Sequence, residues 1–110
     1  MIRIAVYKNE KKECIGFKAF GHAGMDVEGQ DIVCAAVSVL IINTVNAIEK
    51  YATDETSLVS DDLKGLIDYK LLEKPTKEAT LLLKAMVLGL EEIANDENYE
   101  EYIDLTFKEV

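Results

Sequence analysis

Ile2, Ile4 and Val6 alternate with less apolar neighbours at the start of the chain, the period-two pattern of a strand with one buried face. The polar stretch KNEKKE then turns the chain, and a second run from Cys14 to Phe20 reads as the partner strand of a hairpin. A different periodicity begins at Asp31. From there to Tyr51 the chain has neither glycine nor proline, and Asp31 suits an N-cap because its carboxylate can accept from the free N–H groups of a first helical turn. Within this helix Ile32, Val33, Ala35, Ala36, Val37, Val39, Leu40, Ile41, Ile42, Val45 and Ile48 cover nearly the whole circumference. A surface helix shows a single apolar stripe, so this one is expected to be buried on several sides.

Two more strands are predicted at Thr56 to Ser60 and Leu66 to Leu71, with DDLKG as the turn between them. Pro75 and Thr76 open a second helix carrying Leu81, Leu82, Leu83, Met86, Val87, Leu90 and Ile93, and ANDEN ends it. In the last segment Ile103, Leu105 and Phe107 alternate with Asp104, Thr106 and Lys108, a fifth strand. The order strand-strand-helix-strand-strand-helix-strand predicts an α+β fold, one β-sheet packed with two helices. With 110 residues and 49% of them hydrophobic, the chain is read as one domain over residues 1–110. The strand order in the sheet is not readable from the pattern.

Charge narrows the choice of partners. The formal net charge is −9 and no run of lysine or arginine occurs, so direct nucleic-acid binding and attachment to anionic lipid are not expected. The opening MIRIAVYKNEKK alternates and runs into charge, unlike a signal peptide. The apolar run Ile32 to Ile42 is shorter than the ~20 residues of a membrane span. These features predict a cytoplasmic protein without a membrane partner, in which thiols stay reduced and Cys14 and Cys34 are not bridged. The apolar surplus on the first helix predicts a subunit interface, because one sheet covers only one side of it.

Residues 21–38, GHAGMDVEGQDIVCAAVS, hold the only histidine and one of the two cysteines on either side of a glycine-punctuated loop. With the helix starting at Asp31, Cys34 falls in its first turn, where free N–H groups and the positive end of the helix dipole favour a thiolate. A nearby imidazole can pair with such a thiolate and later protonate a leaving amine, and His22 is the one side chain suited to that near neutral pH. The same N–H groups could stabilise the oxyanion of an acyl-transfer intermediate. Asp31 and Ser38 stand three residues before and four after Cys34, on one helix stripe, as candidate lining of the site. Each also has a plain structural reading, Asp31 as an N-cap and Ser38 as a hydroxyl bonded back to its own helix. Gly21, Gly24 and Gly29 either let the histidine segment swing or serve as ordinary turn residues. Cys14 lies in a strand and reads as a small buried hydrophobe. No cofactor is expected, nor a metal, since His22, Cys34 and Cys14 make three ligands without CxxC spacing.

The pair GHAG and GQDIVCAAVS, with the order of strands and helices over nearly all 110 residues, resembles the ribosomal-processing cysteine proteases of Firmicutes and related bacteria. The resemblance implies that His22 is the catalytic histidine and Cys34 the nucleophile. It further implies a cytoplasmic homodimeric endopeptidase that removes a short N-terminal extension, ending in aromatic residues, from a large-subunit ribosomal protein. The competing expectation is a non-catalytic factor that binds a ribosomal protein or assists ribosome assembly through the same groove, with Cys34 as a packing residue.

Overall fold

The computed structural model describes residues 1–21 and 30–110, without the side chain of Gln30. The chain runs through strands β1 (Ile2–Lys8) and β2 (Cys14–Phe20), helix α1 (Gln30–Tyr51), strands β3 (Thr56–Asp61) and β4 (Leu66–Leu71), helix α2 (Lys77–Ala94), a 3₁₀ turn at Glu100–Tyr102, and strand β5 (Ile103–Glu109). This is the α+β order that the alternation predicts. The five strands form one sheet in the order β3-β4-β2-β1-β5, with β1 and β5 parallel and the other neighbours antiparallel.

Register decides which side chains meet. Val6 pairs with Phe17 and Phe107, and Phe17 with Tyr69, so one face carries an apolar row across four strands. The Phe17 and Tyr69 rings lie 5.7 Å apart, tilted by 40°. That face joins Val33, Val37, Ile41 and Ile48 of α1, and Leu83, Met86 and Leu90 of α2, in a single buried cluster. Each such aliphatic side chain contributes about 1.5–3 kcal/mol by leaving water. The other face is polar, with Arg3 paired to Asp104 and Lys18 paired to Asp68.

Gly16 holds the middle of the sheet together. A Cβ there would stand 2.1 Å from the Tyr69 carbonyl oxygen, so no other residue fits, and the β1–β2 register shifts at the next pair. The missing side chain also lets Tyr7 cross over β2 and donate its hydroxyl hydrogen to Asp68 on β4 at 3.2 Å. At the far end of the molecule Thr76 caps α2 by accepting from the Ala79 N–H at 3.2 Å, and it is itself fixed by Asp54.

Three details depart from the sequence expectations. Helix α1 begins at Gln30, so Asp31 is a first-turn acid rather than the cap. The 3₁₀ turn is too short to leave a periodic signature in the sequence. Finally, α1 is buried along Val33, Val37, Ile41, Thr44, Val45 and Ile48, while Ile32, Val39 and Ile42 are 55%, 68% and 49% exposed. Within one chain, burial on several sides is therefore met only in part. Although the run Ile32 to Ile42 is too short for a span, the helix Asp31–Tyr51 is long and apolar enough to cross a membrane by length and composition alone. In the fold its buried side packs on the sheet and α2, as a core helix does.

Candidate active site

Strand β2 delivers the chain to Gly21, whose φ of 87° and close approach to the Met1 carbonyl, 2.9 Å from a would-be Cβ, both require glycine. Gly21 is half-buried. His22, Gly24 and Gly29 lie outside the described residues. The chain re-enters them at Gln30, where α1 starts.

Cys34 is the fifth residue of this helix, just past the first turn rather than in it. Its own N–H can therefore join the i→i−4 ladder, and the free N–H groups are those of the four residues ahead of it. The positive end of the helix dipole remains at this end. Cys34 is half-buried, is not part of a disulfide, and packs on the rim of the core, so its side chain is partly open to solvent while its helix is anchored from below by Val33 and Val37.

Cys14 is the opposite case. It is 6% exposed, its thiol donates to the Gly16 carbonyl at 3.7 Å, and burial pushes its pKa up. A thiol held protonated in a core is a poor nucleophile. The strand reading of Cys14 as a buried hydrophobe holds, and of the two sulfurs only that of Cys34 is accessible.

The helix places Asp31 and Ser38 one turn on either side of Cys34. Asp31 is exposed and Ser38 half-buried. Thr44 donates its hydroxyl hydrogen to the Leu40 carbonyl at 2.7 Å, whereas the Ser38 hydroxyl makes no such bond among the described residues. Ser38 instead lines a shallow depression with Val39, Ile42, Asn43 and Asn46. The two asparagines were not anticipated, although the i+4 series Ser38, Ile42, Asn46 is readable in the sequence as one stripe. Among the described residues no group of three or more His, Cys, Asp or Glu is placed to hold a metal. A partly exposed thiol near the start of an anchored helix, with an open depression that begins one turn further along at Ser38, is suited to attack on an acyl carbon.

Comparison with known proteins gives the same chemistry. The family model described as cysteine protease Prp matches residues 1–104. The ribosomal processing cysteine protease Prp of Staphylococcus aureus is 31% identical, over 98% of this chain and 100% of its own. The crystal structure of the essential ribosomal processing protease Prp from S. aureus in complex with a substrate peptide superimposes with a TM-score of 0.90 at 29% identity. It covers 98% of this chain and 100% of that one. The same S. aureus protease with a covalently linked product peptide gives a TM-score of 0.85 at 30% identity, with the same coverage. A family match over almost the entire chain, on a fold that carries one accessible thiol near a helix start, identifies this protein as a cysteine protease of the Prp family.

Proposed function

We propose that this chain is a cytoplasmic endopeptidase that removes a short N-terminal extension from a large-subunit ribosomal protein. The observation that carries the reading is the contrast between its two cysteines, one sealed in the core and one accessible near the start of α1. In this reading the Cys34 thiolate attacks the carbonyl carbon of the scissile peptide bond, forming an S–C bond and a tetrahedral oxyanion. His22 holds the thiol proton and gives it to the departing amine as the C–N bond breaks. Water then attacks the thioester carbon, His22 takes its proton, and the carboxylic product leaves while sulfur regains the thiolate state. The N–H groups of the first turn of α1 face the developing oxyanion, and Gly21, Asp31 and Ser38 line the site. No metal or cofactor enters the chemistry.

The relatives support the substrate class: S. aureus proteases named for ribosomal processing have been crystallised with a substrate peptide and with a covalently linked product peptide. The negative charge of this chain, −9, favours encounter with a basic ribosomal protein and speaks against direct binding to nucleic acid or membrane lipid. The exposed apolar stripe on α1 supports a homodimer.

The test is cleavage of a peptide spanning the extension and the mature N-terminus of the ribosomal protein. Cys34→Ala and His22→Ala are each expected to lower kcat by several powers of ten while retaining the wild-type circular dichroism spectrum. A Cys34→Ala protein with ordinary activity would overturn the role given to Cys34, and a wild-type protein that binds the peptide without cleaving it would leave the binding-factor reading in its place.

A further inference from the structure

A groove of about 270 Å³ lies between α1 and the β3–β4 hairpin. Its floor and walls include Ile42 and Ile67, its outer lip is Leu58, and Asn46, Ser60 and Asp62 supply polar groups around it. Leu58 is 52% and Ile42 49% exposed, so two large aliphatic side chains face solvent across a concave surface. The groove adjoins the depression beside Ser38, with Ile42 and Asn46 lining both. Strand β3 is the outermost strand of the sheet, which leaves the groove open along one side, so a chain can pass through it rather than end in it.

Position along the helix fixes what such a chain would present. Ile42 is eight residues beyond Cys34 on the same helix, about 12 Å at the helical rise of ~1.5 Å per residue. An extended peptide advances ~3.3 Å per residue, so three to four peptide residues cover that span. We infer that the α1–hairpin groove receives an apolar side chain of the substrate three or four residues from the scissile bond, with Leu58, Ile42 and Ile67 as its contacts. The inference rests on Cys34 being the nucleophile. Asn46, Ser60 and Asp62 then meet the peptide's main chain, which an extended substrate must hydrogen-bond once water is displaced. A second copy of the protein is the poorer occupant: a two-fold interface needs on the order of 800 Å² from each partner, and the convex stripe of Ile32, Ala35 and Val39 is the surface that offers it, whereas the groove is concave and has the scale of a side chain.

The experiment measures peptide binding to the Cys34→Ala protein, which does not depend on turnover. Fluorescein-labelled peptides spanning the cleavage site carry serine at one apolar position each, and Kd is read by anisotropy. Serine at the third or fourth position from the cut is expected to weaken binding about tenfold, and serine at other positions much less. Adding Leu58→Ser should erase that penalty, since the lip that the side chain touched is gone, and adding Leu58→Met should retain it. The inference falls if no penalty appears at those positions, if the penalty survives Leu58→Ser unchanged, if the parent peptide does not bind, or if Leu58→Ser alters the sedimenting mass instead of peptide affinity. A positional penalty that depends on Leu58, in a protein whose wild type does not cleave the peptide, would uphold the groove and overturn the proposed activity. Cleavage with no dependence on Leu58 would do the reverse.

Discussion

Two residues of the same type have opposite fates here because the backbone around them differs. Cys14 alternates inward on β2 and is sealed, while Cys34 follows the free end of a helix. Iodoacetamide at neutral pH is therefore expected to modify Cys34 at least ten times faster than Cys14, a ratio that peptide mass mapping measures directly; equal rates in the folded protein would remove the basis for choosing between them. Tyr7 is a second case in which surroundings rule. Burial first, then the negative charge of Asp68 and its hydrogen bond, push the Tyr7 phenol up to about 12, and Lys70 covers the ring with its Nζ 5.0 Å from the centroid. Because the folded pKa lies above that of a free tyrosine, the stabilisation is fully present below about pH 10 and is lost as pH rises toward 12. Absorbance at the phenolate band should show one tyrosine titrating late. Asp68→Asn should lower that pKa without bringing it to the free value, since burial, the larger cause, remains. None of this was legible in the sequence: Tyr7 and Asp68 are 61 residues apart, and only the register through Gly16 joins them.

Elements were easier to read than their ends. Alternation marked β1 and β5, the run after a polar turn marked β2, and β4 runs over the residues the pattern indicates, Leu66–Leu71, because turn residues flank each run. The start of α1 was displaced by one residue. Asp31 satisfies the preference for a cap, but the helix begins at Gln30, and capping preference is too shallow to fix a boundary to one position. That single residue moves Cys34 out of the first turn, so in the proposed mechanism the oxyanion donors come from ahead of Cys34. Topology was hidden entirely, since alternation gives the faces of a strand and not its neighbours. Gly16 shows what such hidden constraints weigh. It reads as an ordinary strand glycine, yet any Cβ would collide with the Tyr69 carbonyl. Gly16→Ala is expected to destabilise the protein by at least ~2 kcal/mol in urea titration, through separation of β2 from β4, and a change below ~0.5 kcal/mol would show that the two strands can part without cost.

At the scale of the whole molecule the surplus of apolar residues on α1 resolves into two surfaces. One side is the core; the other is the stripe of Ile32, Ala35 and Val39, open to solvent in the single chain. Monomers seldom leave such a stripe uncovered, and pairing it about a two-fold axis would bury it with the same residues facing one another. Electrostatics oppose the pairing, since each chain carries a net charge of −9 and two such chains repel. Association is therefore expected to strengthen as salt screens that repulsion, a direction opposite to that of an interface held by ion pairs. Sedimentation at micromolar concentration should give about twice the 12.3 kDa chain mass, with a dissociation constant that falls as salt rises from about 50 to about 500 mM NaCl. Val39→Glu, at a position 68% exposed within one chain, cannot disturb the core, yet it places a charge at the centre of the proposed contact and should return the mass to that of one chain. If peptide cleavage falls with dissociation, the contact also steadies the helix that carries Cys34; if the variant stays dimeric with wild-type affinity, the two-fold contact lies elsewhere than on this stripe.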